Sequence, residues 1–156
     1  MTYKIWIVLL AWATTSIRGR MPPVAQAGAP AGCTLRVHAD GLRNSKGVVG
    51  VLLFPSADGW PENVAQSIRH DAASIADGRR QATVTFFNLP AGSYGVVALH
   101  DENKNMKLDK NIFGVPKEGF GFANNPHVGF GPPTFGSAVL RVTCPTTETQ
   151  IHILYK

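Results

Sequence analysis

Residues 81–101 read QATVTFFNLPAGSYGVVALHD. The first nine, Gln81 to Leu89, are rich in β-branched and aromatic side chains, which fit a pleated surface better than a helix. Leu89 to Tyr94, with Pro90 and Gly92, is a turn. Gly95 to His100 is apolar again and predicts a second strand, which delivers His100 and Asp101 to one end of a sheet.

The same punctuation recurs on both sides. Downstream, Val139 to Cys144 alternates cleanly, Pro145 to Glu148 turns, and Thr149 to Tyr155 predicts a last strand. Upstream, Leu35 to Ala39 is a first strand and Gly41 to Gly47 a turn region. Val48 to Phe54 (VVGVLLF) is a continuous apolar run of strand length, as expected of a central strand buried on both faces. Pro55 ends it. From Pro61 the sequence predicts a short helix, with Pro at its first position, Glu62 at the positive end of the dipole, and Val64, Ala65 and Ile68 on one face. Asp77-Gly78 signals another turn. Short strands between turns, with at most one short helix, predict an all-β fold: a single antiparallel Greek-key β-sandwich.

The chain has 156 residues and no fixed-period repeat, so one domain is expected. Residues 1–27 read as a secretion leader: Lys4, then the apolar run Ile5 to Ala13, then Ala25-Gln26-Ala27 as an A-x-A cleavage pattern. A short linker over 28–32 and a sandwich over 33–156 follow. The apolar run is well short of the roughly 20 residues that span a bilayer, so no membrane span is expected, and the protein is placed in the periplasm or outside the cell. Of the formal charge of +5, three positive charges (Lys4, Arg18, Arg20) lie in the leader, leaving +2. The remaining Lys and Arg are scattered, without a basic stripe for nucleic acid. Cys33 and Cys144 are the only cysteines, and in an exported chain they predict a disulfide. Cys33 shares strand parity with Leu35 and Val37, and Cys144 with Leu140 and Val142, so both sulfurs are expected to point inward. The rival, lipidation at Cys33 after Ala31-Gly32, is disfavoured by Pro30 and by the long gap from the apolar run.

After His100 comes an acidic, amide-rich loop. Asp101, Asn103 and Asn105 alternate as oxygen donors, Lys107 offers a backbone carbonyl, and Asp109 closes the run, in the order of calcium-loop positions 1, 3, 5, 7 and 9. It is no EF-hand: a strand precedes it, Met106 takes the place of the position-6 glycine, and Ile112 that of the bidentate Glu. Glu118, from the next turn, is the candidate bidentate ligand. Asp101, Glu102 and Asp109 are balanced by Lys104, Lys107 and Lys110, so any calcium is expected to bind weakly, with Kd on the order of 10⁻⁴ to 10⁻³ M. The competing reading is a plain loop of Asx-turns.

The segment that follows carries Phe113, Phe120, Phe122, Phe130 and Phe135 among glycines and prolines. These five either close one end of the sandwich as a satellite core, which is favoured, or form an exposed patch for a protein, a glycan or a small hydrophobic ligand. The histidines show no metal-ligand spacing, and H-E-x-x-H, C-x-x-C and G-x-S-x-G are missing. His100 with nearby acids, joined by His127, is the only constellation that suggests a small hydrolase or isomerase.

Three blocks in order, Phe87 to Tyr94, His100 to Asp109 and Gly114 to Phe122, resemble a bacterial family of small exported proteins, domain of unknown function 2141. The similarity covers roughly Cys33 to Tyr155. It implies a transthyretin-like or carboxypeptidase-regulatory-like sandwich and carries no activity with it. That family usually has Gly where this chain has Met106. Transthyretin-like hydrolases end in Tyr-Arg-Gly-Ser, whereas this chain ends His152-Ile153-Leu154-Tyr155-Lys156. The expectation is therefore a monomeric, exported, non-enzymatic module whose acidic loop, with weak calcium, orders an aromatic recognition loop. The alternatives are the His100 enzyme and a purely structural envelope protein.

Overall fold

The computed structural model describes residues 32–76 and 78–156. The expected leader, most of the linker and Asp77 lie outside the described residues. Eight strands form two sheets: β1 (Cys33–Asp40), β2 (Val48–Phe54), β3 (Arg69–Ser74), β4 (Ala82–Leu89), β5 (Gly92–Asp101), β6 (Gly119–Phe122), β7 (Val139–Val142) and β8 (Thr146–His152). One sheet has the order β4-β1-β8. The other has the order β3-β2-β5-β6, with β7 also on β5. Strand β5 is long enough to pair with both, Gly92 to Gly95 with β7 and Val97 to His100 with β6. All pairs are antiparallel except β1 with β8, which is parallel.

The sheets face each other as a sandwich. Leu35, Val37, Val84 and Phe86 from one meet Val49, Val51, Leu53, Val96 and Ala98 from the other in the main core. The outer face of the five-stranded sheet is also covered. Leu52, Phe54 and Val97 pack there with Phe120, Phe122, Trp60 and Phe135. The Trp60 ring lies 5.4 Å from Phe54, 5.6 Å from Phe122 and 5.7 Å from Phe135, and its indole N–H donates to the Pro133 carbonyl at 3.0 Å. Two covered faces explain why β2 has no polar alternation.

Strand β6 was expected to be loop. Its sequence, Gly-Phe-Gly-Phe, has a steric cause. The C-terminal tail crosses from β8 to pair with β6, Phe120 and Leu154 exchanging backbone hydrogen bonds of 3.0 and 2.8 Å. A Cβ on Gly119 would lie 2.5 Å from Ile153 and Tyr155, and one on Gly121 2.6 Å from the His152 carbonyl oxygen. The glycines admit the tail, and the phenylalanines fill the outer face.

The expected helix after Pro61 is a single 3₁₀ turn, Val64–Gln66, whose Ala65 amide is capped by the Asn63 side chain. The chain then extends as β3 along β2, leaving Ile68 48% exposed. Cys33 and Cys144 form the disulfide, Cα atoms 4.5 Å apart. Cys33 is buried as parity implied. Cys144 is exposed, because β7 ends at Val142 and the residue lies past the ladder. The bond joins the first strand of one sheet to the end of a strand in the other.

Candidate functional site: the loop after β5 and the polar cluster beneath it

Strand β5 carries His100 and Asp101 to the rim, where both are buried, at 0% and 1% exposure. Their surroundings differ. The His100 ring is held at both nitrogens, Nε2 at 2.8 Å from the Lys46 carbonyl and Nδ1 at 2.6 Å from the Tyr155 hydroxyl. A carbonyl only accepts, so Nε2 carries a proton and donates to Lys46. The Tyr155 oxygen in turn accepts the Arg43 backbone N–H at 3.0 Å.

Arg43 completes the cluster. Its guanidinium lies 4.8 Å from the Tyr155 ring centroid, donates from Nε to Glu102 at 2.5 Å and from Nη2 to the Lys117 carbonyl at 3.0 Å. The hydrogen bond from Arg43 holds the Glu102 carboxyl below the usual carboxylate range. Burial pushes the Tyr155 phenol above its ordinary range. Arg43 and Tyr155 were not singled out from the sequence. The signal available was the parity of Tyr155 with Ile151 and Ile153, which puts it on the inward face of the tail.

The expected calcium-loop residues do come together, but each side-chain oxygen meets an N–H. Asp101 accepts the Asn105 amide at 3.0 Å on Oδ1 and the Met106 amide at 2.7 Å on Oδ2. Glu118, 4% exposed, reaches back to the loop and accepts the Glu102 and Asp109 amides at 2.9 and 3.1 Å. Asp109 accepts the Asn103 and Asn105 side-chain amides at 2.7 and 3.0 Å. Asn103 and Asn105 each accept a backbone N–H two residues on, from Asn105 and Lys107, forming the Asx-turns. Among the described residues, no group of three or more His, Cys, Asp or Glu side chains is placed to hold a metal ion. Lys104 and Met106 have positive φ, 62° and 61°, so the turn that a glycine would ease is made here by Met106.

Beyond Asp109 the chain makes a tight hairpin. The Lys117 amide donates to the Asp109 carbonyl at 2.7 Å, the Asn111 amide to Val115 at 2.8 Å and the Gly114 amide to Asn111 at 2.9 Å. The Asn111 side chain accepts from Phe113 and Val115. At its tip Ile112 is 93% and Phe113 82% exposed.

The five phenylalanines therefore separate. Phe120, Phe122 and Phe135 belong to the outer core, whereas Phe113 and Phe130 are exposed. His127 is exposed and is not a partner of His100, whose two nitrogens are taken by Tyr155 and Lys46. A recess of about 240 Å³ lies between Phe122, Asn125, Val128, His152 and Leu154. That is below the roughly 300 Å³ from which small-molecule pockets begin, and His100 does not line it.

A family model described as uncharacterized protein conserved in bacteria (DUF2141) matches residues 37–150. The chain belongs to this family. No curated protein and no solved structure matches it. In this DUF2141 chain the matched span contains β5, the whole acidic loop, the hairpin and β6, while Cys33 and Tyr155 fall just outside it. No helix of the described residues is long and apolar enough to cross a membrane.

Proposed function

We propose that this protein is an exported, non-catalytic binding module that presents the Ile112–Phe113 tip from a loop held rigid by its own carboxylates. The observation that carries this reading is the exposure of two large apolar side chains on an ordered hairpin, because an aliphatic–aromatic pair in water has no role in the domain's own core. Export is supported by the leader pattern and by the disulfide. A module rather than an enzyme is supported by His100, which is fully buried and whose two ring nitrogens are both engaged, by Tyr155 and the Lys46 carbonyl. We read the sandwich as transthyretin-like, as its sequence resemblance implies.

A second reading keeps calcium in the loop. It is favoured by the convergence of Asp101, Asn103, Asn105, Asp109 and Glu118 into one cluster. A cation there would have to displace the Asn103 and Asn105 amides from Asp109 and compete with backbone N–H groups for Asp101 and Glu118.

The test separates the tip from the core. Ile112→Ser with Phe113→Ser is expected to change stability by no more than about 0.5 kcal/mol, as for surface positions. A photoreactive residue at 113, in cells that export the protein, is expected to give a discrete adduct that the same residue at exposed Phe87 on β4 does not. Identical adducts from the two positions, or none from 113, would contradict the reading.

A further inference from the structure

The stretch that carries the tip exposes more lysine than acid, although the loop is formally neutral. Its acids are withdrawn: Asp101 and Glu118 are buried, Glu102 is bound by Arg43, and Asp109 is half-buried beneath the Asn103 and Asn105 amides. The lysines are not. Lys104, Lys107, Lys110 and Lys117 are all exposed, and among the described residues only Lys110 has an acidic partner, Glu62 at 2.6 Å. Lys110 and Lys117 sit on adjacent rungs at the base of the hairpin, where Lys110 bridges Pro116 and the Lys117 amide bonds Asp109. Lys104 and Lys107 lie in the adjoining turn. This segment thus exposes an apolar tip, Ile112 and Phe113, with Met106 also exposed, flanked in sequence by four exposed lysines, of which Lys110 is paired with Glu62.

We infer that this end of the protein docks on an anionic phospholipid surface, the tip entering the interface and Lys104, Lys107 and Lys117 meeting the phosphates. The inference rests on the module reading and names the partner of that same tip. The chemistry matches at both levels. Apolar side chains gain by leaving water for the acyl boundary, and ammonium groups gain from the negative surface potential within a Debye length. A protein groove would suit the apolar pair, but three lysines without acidic partners on one short segment fit a diffuse negative surface better. The rigid loop helps, because the tip is already ordered before it binds.

The experiment is co-sedimentation of the protein, as processed by the cell that makes it, with phosphatidylcholine vesicles and with vesicles that also contain phosphatidylglycerol. Binding is expected only to the anionic vesicles and should weaken as salt is raised. Ile112→Ser with Phe113→Ser should lower it by tenfold or more, and Lys104→Ala, Lys107→Ala and Lys117→Ala by roughly fivefold each. All variants carry the same N-terminus, so a retained leader cannot produce these differences, and unchanged thermal midpoints would show that they remain folded. Equal sedimentation of wild type and tip variant, or none with anionic vesicles, overturns the inference. If vesicles fail while position 113 still cross-links to a protein, lipid is the wrong partner and the module reading stands. If both fail, both fall.

Discussion

Met106 is one of the non-glycine residues held at positive φ. At φ 61° its Cβ crowds the following carbonyl, a cost of roughly 1–2 kcal/mol that glycine does not carry. Glycine loses more entropy on folding, by about 0.5–1 kcal/mol. Met106→Gly is therefore expected to raise stability by up to about 1 kcal/mol, measured by denaturant unfolding. Tyr155 makes a different prediction. Its phenol is raised by burial, so its contribution is complete below the ordinary tyrosine range and is lost as pH rises from there through the higher folded value. Tyr155→Phe removes that alkaline loss. It also leaves the buried Nδ1 of His100 without its hydrogen-bond partner, at a cost of about 1–3 kcal/mol near neutral pH. Glu102 has the opposite sign, because Arg43 depresses it. Its contribution is complete above the ordinary carboxylate range and disappears as pH falls through the lower folded value. In Arg43→Ala the acid limb of stability against pH should accordingly be shallower than in wild type.

Among the elements, β6 is closely packed at both of its glycines. Gly121→Ala would set a methyl against a backbone carbonyl, which cannot give way as a side chain can, and should cost at least about 1–3 kcal/mol. Phe122→Ala, which empties part of the outer core, should cost about 3–5 kcal/mol. Chemical denaturation with tip variants run beside these would show the contrast between Phe122 and Phe113. The two strands that the sequence hid, β3 and β6, were hidden for different reasons. Arg69-His70-Asp71 lies on an exposed edge, where charge discourages further pairing and no apolar alternation is required. In β6 the alternation is glycine against phenylalanine, which reads as loop until the tail that lies over the glycines is known. The strands whose apolar faces meet the core, β1, β2, β4 and β5, were legible because burial dictates their residues. In the site, Asp101 and Glu118 were recognisable as partners of one loop. The direction of their hydrogen bonds was not, since the same oxygens serve a cation or an amide. Nor did the sequence separate Phe113 from Phe120, because exposure depends on where the hairpin turns.

At the scale of the whole molecule, two devices hold the sandwich shut. The C-terminal tail ties β8 to β6 at one place, and Cys33–Cys144 joins the two sheets at another. Their sequence separation of 111 residues means that reduction frees nearly the whole domain, for which chain entropy suggests a loss of about 5 kcal/mol. A fall of roughly ten degrees or more in thermal midpoint on reduction is expected. An unchanged midpoint would show that the tail suffices. Between these closures the acidic loop projects as a preformed support for the tip, and the central claim is that the chain's own hydrogen bonds order it. Hydrogen exchange at the amides of Glu102, Asn105, Met106 and Asp109, in chelator and again in millimolar calcium, tests that claim most directly. The account predicts slow exchange in chelator that calcium leaves unchanged. Fast exchange in chelator that slows when calcium is added would contradict it and would make the loop a metal site.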